Sequence, residues 1–306
     1  MMTVRDRLIF LHQCPNVTRS MLRRMFQHDP SLLAMFNYSI EELSMNYQLS
    51  AEKATCLFYE LKQMKSNEWL DSLKPFHVWT FVDSDYPIAL SLIPDPPLVL
   101  YGLGKKEILH AQPPLAVVGT RHPSSKAKRH MFQILKPLVD EKWVFVSGLA
   151  CGIDGLAHRL SHYYKGKTIA VVAGGLNHPY PKQHIALFHQ LTTHHLVISE
   201  YPPNIKPQRY HFPERNRIIS GLSFATLVIE AKEKSGSLIT VNQALEQGRH
   251  VFAVPGSISD EQSLGCLRMI QSGATLVIEA QDLINEWEQT RQNWVQMLEE
   301  NTEILN

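Results

Sequence analysis

Several short stretches of this chain set small, basic and aromatic residues in combinations that hold phosphate groups and stack rings. Gly119, Thr120 and Arg121, in "VVGTR", place a glycine turn and a guanidinium just ahead of the helix-like "SSKAKRH". Free N–H groups at a helix start attract anions, and an arginine adds a charge-assisted contact to them. Ser147, Gly148 and Gly152, in "SGLACGIDGLAH", predict a second tight turn into a helix. In "AGGLNHPYPKQH", Gly174 and Gly175 allow a ligand close to the backbone, Tyr180 offers a ring face and Lys182 a point charge. The stretch "SEYPPNIKPQRYHFPERNRIISGLS" interleaves Lys206, Arg209, His211, Arg215 and Arg217 with Tyr201, Tyr210 and Phe212. Asn216 sits between two of the arginines, and Glu214 is the local counter-charge. Lys234, Ser235, Gly236 and Ser237, in "KEKSGS", have the pattern of an anion nest, with small residues that free N–H groups and a lysine that adds charge.

Other signals point away from chemistry. The first glycine turn lacks G-x-G-x-x-G and the "KEKSGS" loop lacks the P-loop pattern, so neither a dinucleotide cofactor nor NTP hydrolysis is expected. Cys151 has no histidine base beside it in sequence and reads as a small filler, and Asp154 reads as a helix-start charge. His158 and His162 stand four apart without the glutamate of a metalloprotease helix. The further histidines 178, 184, 189, 194 and 195 match no ligand spacing, so no metal is expected. Glu230 and Lys232 resemble half of a metal-dependent nuclease site, but their partner aspartate is missing from a neighbouring strand. No catalytic residue is assigned.

The elements that must carry these loops follow from apolar periodicity. "LAVVG", "WVFVSG", "TIAVVAGG", "HLVISEY", "FATLVIEA", "HVFAVPG" and "ATLVIEA" are apolar on consecutive residues, as strands buried on both faces are. With helical stretches between them they predict a doubly wound parallel α/β sheet, in which ligands meet the carboxyl ends of the strands. The heptapeptide "ATLVIEA" occurs twice, at Ala225–Ala231 and Ala274–Ala280. Both copies read as central strands, but only the first runs into a basic loop; the second leads to "QDLINEW", with Asp282 as a helix cap. Residues 1–73 read as a small helical bundle and 74–114 as a proline-rich connector with a short strand at "PLVLYG". Residues 115–280 form the α/β core and 281–306 a C-terminal helix.

With 306 residues, 44% of them hydrophobic, the chain can bury a large core, and a formal charge of +1 confines any polyanion binding to local patches. The four cysteines are scattered and no apolar run reaches membrane length, so a soluble cytoplasmic protein with reduced thiols and no membrane insertion is expected.

The ordered motifs "VVGTR", "SGLACGIDGLAH", "AGGLNHPYP", "SEYPP", "FPERNRIISGLS", "VIEAKEKSGSLITVNQALEQGRHVFAVPG" and "GCLRMIQSGA" resemble the DNA processing protein A (DprA, or Smf) family. The resemblance covers almost all of Leu115–Ala280 and extends to the connector. It implies an extended Rossmann-like core behind a SAM-like helical domain. It also implies single-stranded DNA binding, homodimer formation and loading of the RecA recombinase on incoming DNA during natural transformation. Carried over, its DNA contacts fall on Gly119, Arg121, Lys182 and the segment Arg215–Arg217. Cys151 and Leu267 stand where relatives often carry basic or polar residues, and the residues after Ala280 suffice for one helix but not for the winged-helix domain of many relatives. The alternative is a phosphoribohydrolase-like nucleotide-processing enzyme, but "VPGSISDEQSLG" lacks the Gly-Gly-x-Gly-Thr loop and catalytic glutamate of that class.

Overall fold

The structure, a computed structural model, describes residues 2–63 and 68–301. The predicted helical bundle over residues 1–73 and the predicted C-terminal helix each run partly outside the described residues. By internal contacts the chain forms two compact units. The first holds the described residues up to Tyr86 together with Leu98–Leu100, and the second holds Pro87–Pro97 and those from Tyr101 onward.

The first unit is helical, with α1 (Val4–Gln13), α2 (Arg19–His28), α3 (Ile40–Tyr47), α4 (Ala51–Gln63), the single turn α5 (Glu68–Asp71) and the strand β1 (His77–Thr80). Side-chain caps fix the starts. Thr3 and Asp6 form a reciprocal box on α1, as do Ser39 and Glu42 on α3, and Thr18 accepts from the Met21 N–H on α2. Each such cap stabilises a helix by about 1 kcal/mol. Leu8, Leu11, Leu22, Met25, Leu43 and Leu57 are buried on the inward helix faces.

In the second unit, the single turn α6 (Ile88–Ser91) and the residues from Tyr101 onward of β2 (Val99–Gly104) precede a regular alternation. Its strands are β3 (Pro114–Val118), β4 (Val144–Ser147), β5 (Lys167–Val171), β6 (Leu196–Ser199), β7 (Ala225–Val228), β8 (His250–Ala253) and β9 (Thr275–Leu276). Its helices are α7 (Ala127–Asp140), α8 (Ile153–Tyr163), α9 (Ile185–His194), α10 (His211–Gly221), α11 (Ser237–Glu246), α12 (Leu264–Gln271) and α13 (Ala280–Glu300). The strand order is β2-β6-β5-β4-β3-β7-β8-β9. All pairings from β6 to β9 are parallel, and β2 runs antiparallel to β6. The chain winds outward from β3 in one direction, returns, and winds outward in the other. This is the doubly wound Rossmann-like topology, and its switch point lies between β3 and β7.

Period-two alternation assigns one face of the sheet to Leu115, Val117, Phe145, Leu227 and Phe252, which join Met131, Ile134 and Leu138 of α7 and Leu283 and Trp294 of α13 in one core. The two copies of "ATLVIEA" diverge here. The first is the central strand β7, buried throughout. The second, read from sequence as central, makes only the short edge strand β9, with both residues exposed. Its Ile278 is 72% exposed. A run of seven residues encodes a strand but not its rank in the sheet, which is set by what pairs beside it. Asp282 takes the predicted capping role, accepting from the N–H groups of Ile278 and Glu279 at the start of α13.

Candidate functional site

The loops after β3 and β7 part at the switch point and open a cleft of about 710 Å³. Gly119, Thr120 and Arg121 line one wall, Phe212, Arg215 and Asn216 of α10 another, and Lys234, Ser235, Gly236 and Ser237 a third. Backbone ties fix the loops. The Thr120 N–H donates to the Glu230 carbonyl at 2.7 Å, and the Ile153 N–H to the Thr120 carbonyl at 3.2 Å.

Arg121 is exposed at the mouth, its guanidinium 5.8 Å from the centre of the Phe212 ring, and Phe212 meets Tyr180 edge to face at 5.7 Å. A cation and two rings thus share one lip of the cleft, where it adjoins a small pit lined by Gly148, Gly174 and Tyr180. Arg215 lies beneath. It is buried, its Nη1 donates to the Val171 carbonyl at 2.6 Å, and its Nε has no partner among the described residues. Gly148 makes the room, since a Cβ there would collide with the Arg215 guanidinium. Asp154, in the first turn of α8, accepts from the Gly148 N–H at 3.1 Å. Burial raises the Asp154 carboxyl above its usual range, opposed mainly by Arg215. Burial likewise pushes Arg215 down to about 10, still cationic at neutral pH, with Asp154 as the main opposing influence. The floor of the cleft is therefore a guanidinium with an unused donor.

The structure separates other residues named from sequence. Ser147 is fully buried and donates to the Val117 carbonyl at 2.6 Å, so it staples two strands. Arg217 is buried, its Nη2 donating to both carboxylate oxygens of Glu200 at 2.5 and 2.6 Å, with Asp95 3.2 Å from its Nε. Glu214 is thus not the only acid that matters to this segment; Glu214 itself accepts from the Tyr201 hydroxyl. Lys182 is exposed but is not among the residues lining the cleft. Gly174 and Gly175 do not make space for a ligand: the chain's own Pro207 and Pro202–Pro203 fill it. Gly236 does face open space. The nest beside it is partly used internally, because Ser235 accepts from the Ser237 N–H and shares a hydrogen bond with its hydroxyl.

Glu230, half of the nuclease-like pair, caps the loop into α7 by accepting from the N–H and hydroxyl of Ser124. Its fellow Lys232 pairs with Glu261 at 2.8 Å and joins Arg209 and His122 in lining the cleft. Arg209 was visible in sequence among the interleaved bases, whereas His122 carried no signal beyond its place next to Arg121. Among the described residues, no group of three or more histidine, cysteine, aspartate or glutamate side chains is placed to hold a metal ion.

A doubly wound sheet with a cationic, aromatic-lipped cleft at its switch point defines a protein of the Rossmann-like class. The family profile of DNA recombination-mediator protein A matches residues 77–288, and the chain belongs to that family. It is 48% identical over 201 residues to the DNA processing protein DprA of Bacillus subtilis, covering 66% of this chain and 68% of that protein. It is 46% identical over 213 residues to DprA of Streptococcus pneumoniae, covering 70% and 75%. The crystal structure of the Streptococcus pneumoniae protein superposes with a TM-score of 0.79 at 35% identity, over 94% of this chain and 98% of that one. A structure of DprA from Helicobacter pylori, described for its single-stranded DNA binding mode, superposes with a TM-score of 0.63 at 26% identity, over 70% and 96%.

Proposed function

We propose that this protein is a cytoplasmic recombination mediator that holds single-stranded DNA in the switch-point cleft without chemical turnover. In this reading it acts as a homodimer and loads the RecA recombinase on incoming DNA during natural transformation. The observation that carries the DNA-binding part is the lip formed by exposed Arg121, Phe212 and Tyr180 above the unused Arg215 donor. Phosphates would meet Arg121, Arg209 and Lys234 and the backbone around Thr120 and Gly236, while bases stack on Phe212 and Tyr180. The Helicobacter pylori relative, whose single-stranded DNA binding is described, supports the choice of polymer. The homodimer is supported by the apolar edge at β9, where Leu276 and Ile278 are exposed beside a strand with no outer neighbour among the described residues, an arrangement that invites a second chain.

Fluorescence anisotropy of a labelled oligo-dT tests the cleft. A lost charge-assisted contact of about 1.5–3 kcal/mol makes Arg121→Ala weaken binding by roughly ten- to a hundredfold. Lys182→Ala, outside the cleft, should change it less than about twofold. Unchanged binding by Arg121→Ala removes the cleft from the reading.

A further inference from the structure

The histidines that the cleft leaves without a role gather at the other pole of the sheet. Nδ1 of His162, in the last turn of α8, lies 3.2 Å from Nε2 of His195, and the His194 ring centre is 5.4 Å from that of His162. With Lys105, Lys165 and Lys167 they line a cavity of about 690 Å³. Lys167 opens β5, His195 immediately precedes β6, and Lys105 follows Gly104, which is paired with Leu196. Lys167 and His195 thus mark the amino ends of strands whose carboxyl ends lie toward the cleft, Lys105 joins them from the carboxyl end of the antiparallel β2, and the five residues of β5 put about 15 Å between the two poles.

The convergence is built. Gly104 has φ +109°, and a Cβ there would collide with the His195 carbonyl, so only glycine lets β2 bring Lys105 onto that carbonyl, to which its N–H donates at 2.8 Å. Helix C-termini account for part of the charge: α8 and α9 both end here, and their last carbonyls favour His162 and His194. They do not account for Lys105 and Lys167, which come from strand ends. None of the three lysines has an ion-pair partner among the described residues, and Glu107 is the one carboxylate lining the cavity. His195 is 4% exposed and its Nδ1 has no partner among the described residues. Burial, then His162, His194 and Lys105, hold its imidazole down to about 4, and neutral His158 packs behind it. The unmet requirement is a group with several acceptor oxygens and negative charge. On the rim, Tyr163 is 76% exposed and offers a ring face.

We propose that this cavity is a second phosphate site, taking the phosphate of a nucleotide unit on Lys105, Lys165, Lys167 and the His162–His195 pair, with its base on Tyr163. The site is independent of the cleft. An anion there favours protonated imidazoles, so binding takes up protons and tightens as pH falls.

The test follows the imidazole NMR signals of His162, His194 and His195 in the full chain through a pH titration. The probes are inorganic phosphate, thymidine 5′-monophosphate and oligo-dT, each against chloride at equal ionic strength. A bound probe should raise the His195 titration midpoint from about 4 by about one pH unit, and the calorimetric affinity for oligo-dT, whose phosphodiesters keep their charge, should rise by up to about tenfold on going down from near pH 7 to near pH 4. The Lys105→Gln/Lys167→Gln variant changes only exposed, unpaired side chains and should abolish both effects. A response to thymidine monophosphate and oligo-dT at lower concentration than to inorganic phosphate identifies a nucleotide as the source, and an equal response to inorganic phosphate identifies the free anion. No response to any probe, or an undiminished response in the double variant, overturns the site. Arg121→Ala should leave these shifts in place, so failure of the cleft and failure of this cavity are read separately.

Discussion

Arg215 and Arg217 stand two positions apart on α10, which on a helix turns their side chains about 200° from each other. One can face the cleft only if the other faces away, so reading both as phosphate contacts conflicts with the helix that carries them. Which of the two turns inward was not legible, because Asp95 comes from a distant part of the chain and Glu200, at the head of the same stretch, carries no signal that aims it at Arg217 rather than Arg215. Ser147 illustrates the same limit: a polar residue at a strand end is equally a ligand contact or an inter-strand staple, and its carbonyl partner is remote in sequence. His158 yields a pH prediction. Its Nδ1 donates to the Thr168 hydroxyl, which itself donates to the Phe145 carbonyl, leaving Nε2 buried with no partner among the described residues. Burial holds this ring down to about 3, against about 6.5 for an unfolded histidine. Between those values the unfolded chain binds the extra proton. Stability is therefore whole above the upper value and falls by up to about 1.4 kcal/mol per pH unit as acid drives toward the lower one. Urea midpoints between pH 7 and 4 should fall less steeply in His158→Gln than in the wild type, and equal slopes would assign the acid sensitivity elsewhere.

At the scale of elements, β7 and β9 show how little a strand's own residues say about its setting. Leu227 and Leu276 occupy the same place in the repeated heptapeptide, yet Leu227 is fully buried and Leu276 is 40% exposed. Leu227→Ala should cost about 2–5 kcal/mol, whereas Leu276→Ala should cost less than about 1 kcal/mol. Chemical unfolding of the two variants measures the difference, and comparable losses would mean that the edge is covered in solution. Strand existence was legible because consecutive apolar residues need burial on both faces. The start of α13 was legible because Asp282 stands as a polar residue at the head of a helix-like run. Rank within the sheet was not, and neither was the cap that Glu230 places on a loop preceding it by 106 residues.

At the scale of the whole molecule, the cleft exists because the winding reverses at β3, bringing together loops from residues 119–121 and 232–237. Sequence showed that these loops end strands, and the general behaviour of doubly wound sheets showed that such ends face one side. The strand order that makes them neighbours is a property of the complete chain. With a formal charge of only +1, attraction for a polyanion is local, and few phosphates can be neutralised per subunit. If three or four are, the logarithm of oligo-dT affinity should fall against the logarithm of salt with a slope of about −2 to −3. A slope near zero would place the binding energy in stacking alone.

The repeated heptapeptide also gives the molecule two internal clocks. Inside each copy the amides have identical chemical neighbours, so their intrinsic rates of hydrogen exchange with solvent deuterium are the same. Any difference in measured exchange is then a ratio of opening equilibria, free of sequence correction. β7 is paired on both sides by β3 and β8, so its deuterium uptake should report global unfolding, while β9, paired only to β8, should exchange by fraying of the sheet edge. A second chain seated on that edge would slow the faster clock and leave the slower one nearly unmoved.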